Sequence, residues 1–160
     1  MRGLDIGIAG CGIGGLAAAL LLARDGHRIS LYERFDAPCP VGSGLMIQPT
    51  GLAVLERLGL DAALKEAAAP VGRLLGRAEP SGRMVLDVRY EWLRRPGVRG
   101  YGVHRAALFD ILHRAVTAEA IPIHTGRTVA GRAGGRLLFA GGESSPRHDL
   151  LVDTLGAGSP

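Results

Sequence analysis

At 160 residues the chain is long enough for one domain, or one and a fraction. Its hydrophobic content of 47% excludes a disordered chain, and 25 glycines point to many tight turns and close backbone approaches. The net charge of +4 comes almost wholly from arginine, and the two cysteines, Cys11 and Cys39, fit no metal motif and are too few for a disulfide framework. A reducing, cytoplasmic setting without a bound metal is expected.

Residues 6–23 carry no charge. They do not read as a leader or a membrane span. Asp5 interrupts the short basic start, no apolar stretch precedes Cys11, and five glycines make a poor spanning helix. They read instead as a buried strand over 4–9, a glycine turn, and a helix over 13–25 that Gly26 ends in a left-handed cap. A second strand follows over 27–32, so the start of the chain is a βαβ unit of about thirty residues. A Pro/Gly-rich loop spans 35–49. Helices follow over 50–60 and 61–69, with Asp61 as the cap of the second and Pro70 as its stop. The pattern then turns β-like, with strands at 72–78, 84–88 and 100–103. A helix over 105–117 carries Leu108, Ile111, Leu112 and Ala115 on one stripe. Short strands follow at 121–124, 127–132, 137–140 and 150–152, with Gly134-Gly135 as a turn. The expected fold class is α/β: a Rossmann-like βαβ fold with the start of a β-rich covering domain. The organisation is a dinucleotide-type unit over 1–70, a sheet over 71–103, and a return to the first domain over 104–160.

Charge is uneven. Residues 71–105 carry eight arginines against Glu79, Asp87 and Glu91, a local excess of +5. Tyr90, Trp92 and Tyr101 interleave with them, as in a single-strand nucleic-acid surface. A solvated strand face is the better reading, because charge runs are usually solvated faces, and no nucleic-acid partner is expected.

The chemistry-bearing motif is Gly10-Cys11-Gly12-Ile13-Gly14-Gly15, a G-x-G-x-x-G run between a predicted strand and a predicted helix. Gly10 makes the tight turn, Gly12 lets a pyrophosphate approach the backbone, and Gly15 allows close helix–strand packing. The helix N-terminus offers N–H groups and partial positive charge to the phosphates. Glu33, at the end of the second strand, would accept hydrogen bonds from ribose hydroxyls and repel a 2′-phosphate. Cys11 reads as a small buried filler rather than a reactive thiol. The fingerprint by itself fits either NAD or FAD.

Residues 5–20 with Leu31-Tyr32-Glu33-Arg34, then Gly42-Ser43-Gly44-Leu45, Leu55-Glu56-Arg57-Leu58-Gly59-Leu60 and Tyr101-Gly102-Val103-His104-Arg105-Ala106-Ala107-Leu108, resemble the FAD-dependent aromatic-ring hydroxylases. These are the flavoprotein monooxygenases of the para-hydroxybenzoate and salicylate hydroxylase type. The resemblance implies FAD as cofactor, NAD(P)H as transient co-substrate, and hydroxylation of an aromatic or similar small molecule with oxygen. It implies a cofactor set of Gly10, Gly12, Ile13, Gly14, Gly15 and Glu33, with Arg34 near the adenine, Val129 offering backbone contacts to it, and Arg105 near the flavin. It also implies that residues 71–103 begin a substrate-covering sheet. His104 reads as structural, and no general acid or base is assigned.

Two departures stand out. Leu155 stands where the family's Gly-Ala-Asp-Gly run has its acid, and no counterpart of the family's later Gly-Asp motif is present. The chain therefore reads as the N-terminal part of such an enzyme, truncated, with apolar surface that would favour self-association. A non-catalytic remnant that binds FAD or ADP weakly is the alternative. Another FAD-dependent oxidoreductase, of halogenase or isoprenoid-reductase type, is a further one.

Overall fold

The computed structural model describes residues 3–39, 42–93 and 97–160. In chain order the elements are β1 (Asp5–Ala9), α1 (Ile13–Arg24), β2 (Arg28–Tyr32), β3 (Gly44–Ile47), α2 (Pro49–Arg57), α3 (Asp61–Ala67), β4 (Ala68–Val71), β5 (Arg73–Arg77), β6 (Met84–Arg89), a 3₁₀ turn (Tyr90–Leu93), β7 (Gly100–His104), α4 (Arg105–Ala118), β8 (Ile123–His124), β9 (Val129–Ala133), β10 (Arg136–Phe139), β11 (Leu150–Asp153) and a final 3₁₀ turn (Gly156–Gly158). They form two compact units, Met1–Val41 with Phe109–Pro160, and Gly42–Leu108.

The first unit is built on a parallel sheet in the order β11-β1-β2-β8. Parallel strands are covered on both faces, which is why β1 and β2 read as nearly unbroken apolar runs. Ile6, Ile8 and Leu31 are fully buried, and so are Leu16, Ala19 and Leu20 of α1. The three α1 residues recur at helical spacing and turn one stripe inward. Each buried Leu or Ile contributes about 1.5–3 kcal/mol relative to exposure. The helix ends as the sequence predicts. Gly26 adopts φ +89°, and the N–H groups of Gly26 and His27 donate to Ala23 O and Leu22 O.

The β9–β10 hairpin turns through Gly134 and Gly135, both at positive φ, as a tight hairpin requires. It brings Leu137 and Phe139 onto Ala9 and Tyr32, with Val129, Leu151 and Leu155 packed around them. His148 lies buried beside the sheet, its Nδ1 2.5 Å from Asp5 Oδ1 and its Nε2 3.0 Å from the Tyr32 hydroxyl. Gly7 makes room for that ring, because a Cβ there would sit 2.6 Å from His148 Cδ2.

The second unit holds an antiparallel sheet, β3-β7-β4, helices α2 and α3, and the β5–β6 hairpin. Three details differ from expectation. Strand β3 lies inside the predicted loop 35–49, where Leu45-Met46-Ile47 is too short a run to announce itself; Pro40 and Val41 of that loop lie outside the described residues. Helix α3 stops at Ala67, and residues 68–71 pair with β7, so Pro70 sits within an edge strand rather than ending a helix. Asp61 is the first helical residue, with Leu60 in the cap position; its carboxylate accepts from Lys65 Nζ at 2.7 Å, one turn on.

On the β5–β6 hairpin Leu75, Met84, Val85, Leu86 and Val88 are exposed, Val85 at 56%. Arg73 forks onto Asp87 at 2.6 and 2.8 Å, so part of the basic run is paired. Tyr90 is buried and donates to Gln48 Oε1 at 2.5 Å, which removes it from any stacking surface. Arg94 and Arg95 of that run lie outside the described residues, as does Arg2 at the N-terminus. Among the described residues no helix is long and apolar enough to cross a membrane, and no cluster of three His, Cys, Asp or Glu groups is placed to hold a metal.

Candidate functional site

Ligands of open parallel sheets bind beyond the carboxyl ends of the strands. In the first unit that edge carries Ala9, Tyr32, His124 and Asp153, and the turn 10–12 runs from it into α1. Gly10 adopts φ +98°, open only to glycine at low cost, and its N–H donates to Tyr32 O at 2.8 Å. A Cβ on Gly15 would fall well inside contact distance of the Gly10 carbonyl oxygen, so glycine there is what lets helix and turn meet. Gly12 and Gly14 are the reverse: a Cβ on either would meet nothing within 4 Å. Two glycines of the motif thus serve packing and two face open space.

No side chain caps α1, and Leu16 N–H makes the first bond of the helix, to Gly12 O. The N–H groups of Ile13, Gly14 and Gly15 therefore precede the first intrahelical donor and are available to an anion. The open cradle and the uncapped N-terminus together fit a pyrophosphate.

Glu33 is 9% exposed and tied in place. Its Oε2 accepts the Cys11 N–H at 2.8 Å and its Oε1 accepts the Phe35 N–H at 3.2 Å. Each carboxylate oxygen has two acceptor positions, so one on each remains for a hydroxyl. The backbone of Glu33 is fixed too, by bonds with His124 O and Arg127 N. The Cys11 thiol beneath this turn is buried, and burial, with the charge of Glu33, pushes it up to about 12. It stays protonated at neutral pH and is a packing residue.

Arg34 is exposed, its guanidinium carbon 4.6 Å from the centre of the Phe35 ring. Val129 starts β9 and packs on the Ala9–Tyr32 cluster. It also lines a cleft of about 330 Å³ with Ala9, Leu137, Leu151, Asp153 and Arg132. Thus Gly10, Gly12, Ile13, Gly14, Gly15, Glu33, Arg34 and Val129 belong to one compact unit. Arg105 belongs to the other, where it begins α4 and lies against Gly42, its Nε 3.2 Å from where a Gly42 Cβ would be.

Leu155 is half-buried and packs against the Ala9–Tyr32 cluster. Asp153 accepts the Leu155 N–H at 2.9 Å and a bond from Ser159 Oγ, and these hold its carboxyl below the ordinary value. Thr154 escapes sequence reasoning altogether. Its hydroxyl reaches Ala9 O and Gly10 O at 2.7 and 2.9 Å. Nothing in the local sequence marks a threonine so far along the chain as a partner of the first turn; only the parallel pairing of β11 with β1 brings it there.

Comparison with known proteins gives a consistent picture. The sequence pattern of the FAD binding domain family matches residues 3–131. A Rhodococcus erythropolis protein assigned as a 2-heptyl-3-hydroxy-4(1H)-quinolone synthase is 34% identical over 95% of this chain and 39% of its own length. The salicylate hydroxylase of Pseudomonas putida is 32% identical over 94% of this chain and 35% of its own length. Among solved structures, the tetrameric form of 2-methyl-3-hydroxypyridine-5-carboxylic acid oxygenase superposes with a TM-score of 0.77 at 24% identity, covering 94% of this chain and 39% of that one. Klebsiella pneumoniae HpxO in complex with FAD and uric acid superposes at 0.70, also at 24% identity, covering 92% of this chain and 38% of that one. The chain thus spans about two fifths of the length of the proteins it matches.

Proposed function

The chain belongs to the FAD binding domain family, among the flavoprotein aromatic-ring hydroxylases, and from that premise we propose that it forms the ADP-binding part of the FAD site in an NAD(P)H-dependent monooxygenase acting on an aromatic or similar small molecule. The observation that carries this is the paired use of glycines: Gly10 and Gly15 closed against backbone, Gly12 and Gly14 open beside an uncapped helix N-terminus. FAD, when bound, would supply the redox chemistry of such an enzyme, in which oxidation of NAD(P)H is coupled to insertion of one atom of O2 into the substrate while the other leaves as water.

The residues of this chain bind and orient. The N–H groups of Ile13, Gly14 and Gly15 meet the pyrophosphate, with the partial positive charge of α1 behind them. Glu33 takes the ribose hydroxyls on its two free acceptor positions. The same carboxylate repels a 2′-phosphate and so disfavours NADP; the preference for FAD over NAD rests on the family. Arg34 lies toward the adenine. Val129 contributes backbone there, beside a cleft of mixed lining in which Leu137 and Leu151 stand with Arg132 and Asp153. Arg105 serves the flavin side; family resemblance is its support. The exposed apolar side chains of β5–β6, Leu75, Val85 and Leu86 among them, support self-association, which sedimentation of the purified chain measures directly.

A second reading, in which the chain holds the nucleotide but supports no turnover, is favoured by Leu155, which stands where the family resemblance implies an acid and packs half-buried against the Ala9–Tyr32 cluster. A visible spectrum of the purified 160-residue chain, with and without added FAD, is the first test. Flavin absorbance that stays with the chain and is released as FAD on denaturation is expected. A colourless chain that takes up no FAD would refute the cofactor assignment. Substrate-dependent oxygen insertion by the same chain would refute the second reading.

A further inference from the structure

Resting on the assignment of the turn 10–12 as the nucleotide site, we propose that Thr154 is a positioning residue for the cofactor, acting through the Gly10–Cys11 peptide. Strand β11 runs parallel to β1 with Asp153 in register with Ala9, so Thr154 arrives one residue beyond the strand, beside the turn. Its N–H donates to Ala9 O at 2.9 Å. Its hydroxyl lies 2.7 Å from Ala9 O and 2.9 Å from Gly10 O. A hydroxyl has one hydrogen to give. Ala9 O already holds the Thr154 N–H, so the Gly10 carbonyl is the partner that depends on the hydroxyl.

That carbonyl shares a planar peptide with the Cys11 N–H. The N–H is the group that holds Glu33 Oε2 at 2.8 Å. One rigid plane is therefore gripped at both ends, by Thr154 at its oxygen and by Glu33 at its hydrogen. Rotation of the plane would misdirect the Glu33 carboxylate and the entry into α1 together. The packing agrees: Thr154 Oγ1 would stand 2.7 Å from a Cβ on Gly15, and Thr154 O 2.9 Å from one on Gly10, whereas Gly12 and Gly14 face open space. Thr154 supports the packed side of the turn and leaves the ligand side free.

The test uses the 160-residue chain and three variants, Thr154→Val, Thr154→Ala and Thr154→Ser. FAD and ADP affinities are measured by titration, and amide hydrogen exchange is followed at Cys11 and, as a control, at Leu31 of β2. Thr154→Val, or Thr154→Ala where valine fails to pack, is expected to weaken FAD and ADP by the same factor, about five-fold for one hydrogen bond. It is also expected to speed exchange at Cys11 and not at Leu31, a local effect that loss of general stability would not give. Thr154→Ser is expected to restore both. Unchanged affinity with unchanged Cys11 exchange would overturn the proposal, as would equal acceleration at Cys11 and Leu31, or failure of serine to rescue. An unsubstituted chain that binds neither nucleotide would overturn the cofactor assignment itself, and the role of Thr154 with it.

Discussion

Alanine at Gly12 and alanine at Gly15 should have opposite consequences, although both remove a glycine from the same motif. Gly12 has φ −81° and ψ −177°, extended backbone that alanine adopts freely, and a Cβ there meets nothing within 4 Å. Alanine is a poorer helix cap than glycine, which costs a few tenths of a kcal/mol to about 1, and it restricts the unfolded chain, which returns about 0.4–1 kcal/mol. The ligand-free fold of Gly12→Ala should therefore match the parent within roughly 0.5 kcal/mol, the difference of those two terms. The methyl group instead occupies the cradle. Loss of one charge-assisted hydrogen bond to phosphate costs about 1.5–3 kcal/mol, roughly ten- to a hundred-fold in Kd. In Gly15→Ala the methyl group runs into the Gly10 carbonyl, and no flexible side chain can give way. Overpacking of this kind costs about 3 kcal/mol, the upper part of the usual range, which lowers the melting temperature by roughly 6–12 °C in a chain of this size. Thermal melts of the ligand-free proteins, followed by FAD titration at a temperature where each is folded, separate the two. A Gly12→Ala protein that melts as low as Gly15→Ala, or that binds FAD like the parent, would refute the division of the glycines into packing and ligand roles.

Glu33→Gln turns one of two acceptor oxygens into a donor and sets it against the Cys11 or Phe35 N–H; denaturant unfolding should show a loss of about 1–3 kcal/mol, and FAD should bind more weakly. With its thiol pushed up to about 12, Cys11 should resist iodoacetamide at pH 8 while exposed Cys39 is alkylated, as mass spectrometry of the native chain would show; equal labelling would contradict the buried turn. The carboxyl of Asp153 is held below its ordinary 3.8 by Ser159 and the Leu155 N–H. The stability it adds is complete above that value and is lost as pH falls through the lower folded-state one, so Asp153→Asn should reduce the acid sensitivity of unfolding below the ordinary carboxyl value.

The site was legible in the sequence where its determinants are local. The run Gly10 to Gly15, flanked by an apolar strand and a helical stripe, fixes a turn whose geometry depends on backbone alone. Glu33 was legible because the βαβ unit sets its distance from the turn. Its tie to the Cys11 N–H was not, since that bond needs the two strands already paired. Thr154 and the buried Asp5–His148–Tyr32 chain were invisible for the same reason: they meet β1 across more than a hundred residues, through β11 and the segment before it. In the second unit, β3 and β4 were missed because each is four residues long and borrows its structure from β7. Pro70 misled because proline reads as a helix stop, yet an edge strand tolerates it where no ladder N–H is needed.

The most direct measurement of the central claim is an ADP titration of the isotopically labelled chain, followed by amide NMR shifts. Saturable changes concentrated at residues 10–15 and 33–35, with a smaller set at Val129, are expected. Absence of saturable shifts, or shifts confined to Gly42–Leu108, would contradict it.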